Sequence, residues 1–195
     1  APQEVRFTLM RPGTPLLLSE VLPLLEDLGV TVVDERTHEI RVEGRSVWRY
    51  DIGLRVSDPG RIDDRATREE FCDTFAALFR GELESDGLNQ LVVAGGLSAR
   101  QVDVLRAYAK YLRQIGLSFS QRYVETTLAR HAPIVGALVG LFETRFDPSI
   151  DPDIAHGDSP IRAADARALT DSIAAQLDAV PSLDEDRILR SFLTL

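Results

Sequence analysis

Lysine is nearly absent: Lys110 stands alone among 22 basic residues, so chemistry that requires a pair of lysines has no place in this chain. Cysteine is as scarce, and the lone Cys72 can form no internal disulfide. It lies in Phe71-Cys72-Asp73-Thr74-Phe75, an amphipathic stretch in which a free cysteine packs as a small hydrophobe. No histidine stands near it in sequence and nothing adjacent lowers a thiol pKa, which argues against a nucleophile and for a reducing compartment. Long apolar runs are missing as well. The uninterrupted ones extend for a few residues, against the roughly 20 that a membrane-spanning helix requires, and no signal peptide opens the chain. A basic excess is also lacking: the formal net charge is -9, the wrong sign for phosphate binding, so no nucleic-acid partner is expected. These absences describe a cytoplasmic protein with no membrane contact.

What is present is ordinary globular composition, 44% hydrophobic and 27% charged over 195 residues. A chain of this size buries roughly 70% of the surface its unfolded form exposes, so it needs no disulfide or metal staple. It begins at Ala1-Pro2 without Met and stops at Phe192-Leu193-Thr194-Leu195, within an apolar helical pattern. The expectation is a segment of something longer.

Val5-Arg6-Phe7-Thr8-Leu9 alternates as a strand and breaks at Arg11-Pro12-Gly13-Thr14-Pro15. Leu18, Val21, Leu22, Leu25 and Leu28 then recur at helical spacing, with Pro15 suited to the first turn and Gly29 placed to end the helix. Pro23 predicts a kink or a late helix start, because an interior proline removes a hydrogen bond. Val30-Thr31-Val32-Val33 reads as a second strand that resumes at Ile40-Arg41-Val42, and Glu43-Gly44-Arg45 as a turn. Trp48, Tyr50, Ile52, Leu54 and Val56 alternate strictly and line one face of a sheet, until Asp58-Pro59-Gly60 stops the strand. Thr67 and Glu70 have capping-box spacing and open a helix that carries Phe71, Phe75, Leu78 and Phe79 and ends near Gly81. Strand, helix, strand, strand, helix is the start of a ferredoxin-like βαββαβ unit. Residues 88–94 read either as its last strand or as a short helix ended by Gly95-Gly96.

From Ser98, which has capping-box spacing to Gln101, the reading is helical. Helices are expected after Ser98, over 120–130, 133–146 and 161–179, and from a second such box at Ser182/Glu185 to the end of the chain. Residues 147–160, with three prolines and four aspartates, read as a loop or linker. The fold class expected is α+β: a ferredoxin-like βαββα(β) module over 4–96 and a helical segment over 97–195.

Chemical motifs are weak. Asp147, Asp151, Asp153, His156 and Asp158 lack EF-hand spacing and suit a solvated turn. His38 and His131 have no second ligand at i+4, so no metal site is assigned. Gly95-Gly96 matches neither a dinucleotide fingerprint nor a P-loop, and no G-x-S-x-G elbow is present. Arg100, Arg106, Lys110 and Arg113 with Tyr108 and Tyr111 read as the charged outer face of an amphipathic helix. The candidate site is the turn Arg11-Pro12-Gly13-Thr14, where strand passes to helix and a glycine admits an anion to backbone N–H groups. Arg11, Gly13 and Thr14 are the candidate effector-binding residues, for the carboxylate of an amino acid. No catalytic, cofactor-binding or metal residue is assigned.

Several blocks resemble the large bacterial NAD-specific glutamate dehydrogenases. They are Arg6-Phe7-Thr8-Leu9-Met10-Arg11-Pro12, Glu84-Ser85-Asp86-Gly87-Leu88-Asn89, Tyr108-Ala109-Lys110-Tyr111-Leu112-Arg113-Gln114, Phe119-Ser120-Gln121, Leu141-Phe142-Glu143-Thr144-Arg145-Phe146-Asp147-Pro148 and Ser182-Leu183-Asp184-Glu185-Asp186-Arg187-Ile188-Leu189-Arg190. They occur in the family's order across nearly the whole chain. The resemblance implies a segment upstream of the catalytic domain, with an ACT-like front module of the kind that binds amino-acid effectors and helices leading to the catalytic part. It also implies that the full-length chain oxidatively deaminates L-glutamate to 2-oxoglutarate and ammonia with NAD. The lysines, aspartate and Rossmann glycines of that reaction have no match here, so this segment alone is expected to be inactive and to hold no cofactor. Its expected partners are the catalytic part of the same chain, further copies in a homo-oligomer and an amino-acid effector. A helical interaction scaffold with no ligand site is the competing reading, and an independent small enzyme a more distant third.

Overall fold

The strict alternation from Trp48 to Val56 is realised as β3 (Arg45–Val56), the middle strand of an antiparallel sheet ordered β1-β3-β2, with β1 Glu4–Pro12 and β2 Val30–Val42. The computed structural model describes residues 4–56, 59–147 and 160–195. They divide into two compact units, Ala1–Ala99 and Arg100–Leu195. The loop expected over 147–160 falls almost entirely outside the described residues.

In the first unit Tyr50, Ile52, Leu54 and Val56 point toward helices α1 (Leu18–Asp27) and α3 (Arg65–Phe79) and are at most 3% exposed. From β1, Phe7 meets Phe71 and Phe75 edge-on, with ring centroids 5.6 and 5.1 Å apart, an arrangement that adds about 0.5–1.5 kcal/mol per pair beyond area burial. From α1, Val21, Leu25 and Leu28 close the layer. Each fully buried aliphatic side chain stabilises this core by about 1.5–3 kcal/mol.

Several local expectations are corrected. β2 does not pause after Val33 but runs unbroken to Val42. Pairing with β3 overrides its polar composition, and a register shift between Val32 and Asp34 absorbs one extra residue. Helix α1 starts at Leu18, beyond Pro15, and carries Pro23 inside it without a break. Helix α3 starts earlier than Thr67, because Asp64 is its N-cap and accepts from the Thr67 N–H at 2.9 Å. The short helix α2, Pro59–Asp63, precedes it. Residues 87–95 are helical, a 3₁₀ turn Gly87–Gln90 leading into α4 (Leu91–Gly95), so no fourth strand occurs among the described residues. Asp86 caps that turn through the Leu88 N–H at 3.0 Å, and Gly96 closes it at φ +64°.

The second unit packs helices α5 (Ala99–Gln114), α6 (Gln121–Arg130), α7 (Ala132–Phe146), α8 (Pro160–Leu177) and α9 (Leu183–Leu193). Helix α7 buries Ile134, Val135, Leu138, Val139 and Leu141, while Leu128, Ile173, Leu177, Ile188 and Leu189 complete the core. Ser182 caps α9, as its spacing predicts, and Ser120 caps α6. Helix α9 ends at Leu193 with Thr194 as its C-cap, before the chain does. No described helix is long and apolar enough to cross a membrane.

Two glycines test this packing. Gly29 ends α1 at φ +79°, and a Cβ there would stand 2.8 Å from Gln90 Cβ and 3.3 Å from Gln90 Cα. Gly53, on the sheet face opposite the helices, would place a Cβ 2.2 Å from Asp34 Oδ1, the tip of a side chain that is able to turn away. Gly29→Ala, strained in backbone and space, is expected to cost about 1–3 kcal/mol. Gly53→Ala is expected to lower the urea midpoint by less, and the two midpoints measured side by side check the order.

Candidate functional site

The turn from β1 into α1 is closed by its own hydrogen bonds. Gly13, at φ +88°, donates its N–H to Ser46 O at 2.9 Å, and the Trp48 indole N–H donates to Gly13 O at 3.0 Å. The Leu16 N–H donates to the buried Tyr50 hydroxyl at 2.6 Å. Thus β3 supplies three partners to the loop, and the glycine amide is committed within the fold. Thr14 is exposed. Arg11 is half-buried, with its guanidinium carbon 6.0 Å from the centroid of the Phe79 ring, a cation–π contact at the end of α3.

Concave surface lies elsewhere. An open groove of about 530 Å³ runs between α1 and the start of β2, lined by Leu22, Glu26, Gly29, Val30, Thr31 and Val32. It is at the other end of α1 from Gly13, and Glu26 is the one ionisable side chain lining it. The helical unit holds a cavity of about 20 Å³ beside Leu105, Tyr108, Leu138, Phe142 and Phe192, room for about one water. Among the described residues no group of three or more His, Cys, Asp or Glu side chains is arranged to hold a metal ion. Cys72 is exposed on α3 rather than packed as a small hydrophobe, and partial desolvation, with Asp73 beside it, raises its thiol pKa, the opposite of activation.

Two polar constellations were not visible in the sequence. Glu185, 4% exposed at the start of α9, accepts from His131 Nε2 at 2.9 Å and from Arg130. An ionised carboxylate only accepts, so Nε2 carries the histidine proton. The Ser182/Glu185 box is therefore half used: Ser182 Oγ accepts from the Glu185 N–H at 3.4 Å, while the Glu185 carboxylate turns to the α6–α7 corner. On the outer face of the sheet Arg6 grips Asp34 with two parallel hydrogen bonds, the second 2.9 Å, across the bare backbone of Gly53. That grip holds the Asp34 carboxyl below its ordinary range.

A three-stranded antiparallel sheet covered on one face by two helices, with a helical unit after it, defines an ACT-like α+β module followed by a helical segment. Residues 1–67 match the family described as glutamate dehydrogenase, ACT3 domain, and residues 83–148 that described as glutamate dehydrogenase, helical motif 3. The chain belongs to the glutamate dehydrogenase family. It is 38% identical over 191 residues to an NAD-specific glutamate dehydrogenase of Halomonas elongata, covering 98% of this chain and 11% of that protein. It is 40% identical over 189 residues to the enzyme of that name in Mycobacterium tuberculosis, covering 94% of this chain and 11% of the relative. With the one in Pseudomonas aeruginosa the identity is 37% over 194 residues, 99% of this chain and 12% of the relative. The chain thus spans about a tenth of the length of these curated relatives.

The Glu185 contacts carry a pH dependence. The hydrogen bond from His131, then the charges of Arg130 and His131, hold the Glu185 carboxyl below its ordinary 4.5. A carboxyl depressed in the folded state contributes stability that is present above its unfolded value and lost as pH falls through the folded one. Unfolding monitored from pH 7 down through the range below 4.5 is therefore expected to show a progressive loss of stability that is reduced in Glu185→Gln. At pH 7, Glu185→Ala is expected to cost about 2 kcal/mol, the scale of hydrogen bonds to a charged group.

Proposed function

We propose that this chain is a regulatory and architectural segment of a large NAD-specific glutamate dehydrogenase. The oxidative deamination of L-glutamate with NAD belongs to other parts of the full-length protein. The observation that carries the reading is the order of matches, ACT3 domain and then helical motif 3, in a chain that aligns almost end to end with enzymes of that name yet covers 11–12% of their length. In this reading the full-length protein is a cytoplasmic homo-oligomer, and the helical unit connects the ACT-like module to the catalytic part.

The amino-acid effector is assigned to the β1–α1 turn, with Arg11 and Thr14 offering a cation and a hydroxyl to its carboxylate and Gly13 shaping the backbone between them. The specific observation favouring the competing scaffold is that the Gly13 and Leu16 amides and the Gly13 carbonyl are already partnered by Ser46, Tyr50 and Trp48.

Thermal unfolding in the presence of single amino acids separates these readings, because a ligand of the folded state raises stability by RT ln(1 + [L]/Kd), about 2.7 kcal/mol at a hundredfold excess over Kd. The expected result is a saturable rise with one amino acid that Arg11→Ala abolishes, no rise with NAD, and no reduction of NAD by the 195-residue chain given L-glutamate. A melting curve indifferent to every amino acid at millimolar concentration leaves the scaffold reading.

A further inference from the structure

The outer face of the sheet changes character along its length. Near Val56 the charges neutralise one another: Arg55 meets Glu4 at 3.5 Å and Arg6 holds Asp34. At the hairpin end the facing rows are Met10, Arg49 and His38, then Pro12, Val47 and Ile40. Met10 is 62% exposed, Ile40 39% and the adjoining Val42 52%, so an apolar patch lies open there with a cation in its middle. Arg49 forms no ion pair among the described residues, and its Nε is sealed from solvent without a hydrogen-bond partner. Such an atom ordinarily finds an acceptor. The titratable and charged groups around it are His38 opposite, Asp51 and Arg36 in the next row and Arg45 toward the turn.

We propose that this end of the open sheet face docks a polypeptide segment presenting a carboxylate among apolar side chains, the carboxylate pairing with Arg49. Charge complementarity sets the anion, and the flat, uncavitated sheet calls for a segment rather than a small molecule. The source is the remainder of the same enzyme, since relatives carry this region as 11–12% of their length. The inference rests on the reading of the chain as part of such an enzyme.

Met10 is the only methionine of these 195 residues and reports directly on cover of the patch. The full-length protein is treated with hydrogen peroxide, and sulfoxide at Met10 is followed by peptide mass spectrometry, since thioether oxidation requires access. Expected is oxidation several-fold slower than in the unfolded protein, restored to the unfolded rate by Arg49→Glu and by His38→Glu, which supplies Arg49 with a competing carboxylate from an exposed position. Circular dichroism confirms that at least the His38 variant is folded. Rapid oxidation of Met10 in the wild type overturns the proposal, and so does slow oxidation in the wild type and the folded variant alike. Glutamate-dependent reduction of NAD, assayed on the same sample, tells the two readings apart: an active enzyme with an unprotected Met10 loses the docking proposal alone, whereas an inactive protein loses the reading on which it rests.

Discussion

The side chains of the sheet take their faces from the register of β3. Because successive residues point to opposite faces, Tyr50, Ile52, Leu54 and Val56 are committed to the core, and Arg49, Asp51, Gly53 and Arg55 to the outside. A slip by one residue would put arginines against Phe71 and Phe75. The bulge after Val32 keeps β2 in step past that point, and the Arg6–Asp34 grip forms because the residue between them has no side chain. The same strand reaches beyond its own sheet: Ser46, Trp48 and Tyr50 fasten the loop that leads into α1. One strand thus fixes the sheet and also supplies the hydrogen bonds that hold the candidate effector turn.

The helical unit follows a different rule. Its centre, α7, is apolar nearly all round, so helices on more than one side must cover it, and α6, α8 and α9 all pack against it. Nondirectional contacts of this kind leave the angular position of α9 weakly specified. Glu185 adds the directional element, since a buried carboxylate needs its donors at defined places, and His131 and Arg130 provide them from the α6–α7 corner.

Where the local signal was sufficient, sequence and structure agree: the alternation of β3, the serine cap at 182, and Gly29 at the end of α1. The fourth strand was undecidable locally, because Leu91-Val92-Val93 is buried at every position, a pattern common to a covered strand and a tight helical turn. Asp86 and Gly96 decided it through their caps. The polar stretch of β2 looked like a loop because none of its residues is buried, and its stability comes from pairing with the partner strand. Asp64 outcompeted Thr67 as N-cap, although both are capping residues in the same short window. The candidacy of Arg11, Gly13 and Thr14 rests on a turn signature alone. The pairing of residue 131 with 185, or the lack of an ion pair to Arg49 among the described residues, has no counterpart in a one-dimensional pattern.

With β3 in the middle and no fourth strand among the described residues, both β1 and β2 are borders of the sheet. Unpaired borders are templates on which other chains polymerise, and natural proteins guard them with charge, proline and bulges. Here Glu4, Arg6, Arg11 and Pro12 stand along one border, and the irregularity at Val33 with Asp34, Glu35, Arg36 and Glu39 along the other. Polarity that looked incompatible with a strand thus serves as protection against fibrillar self-association.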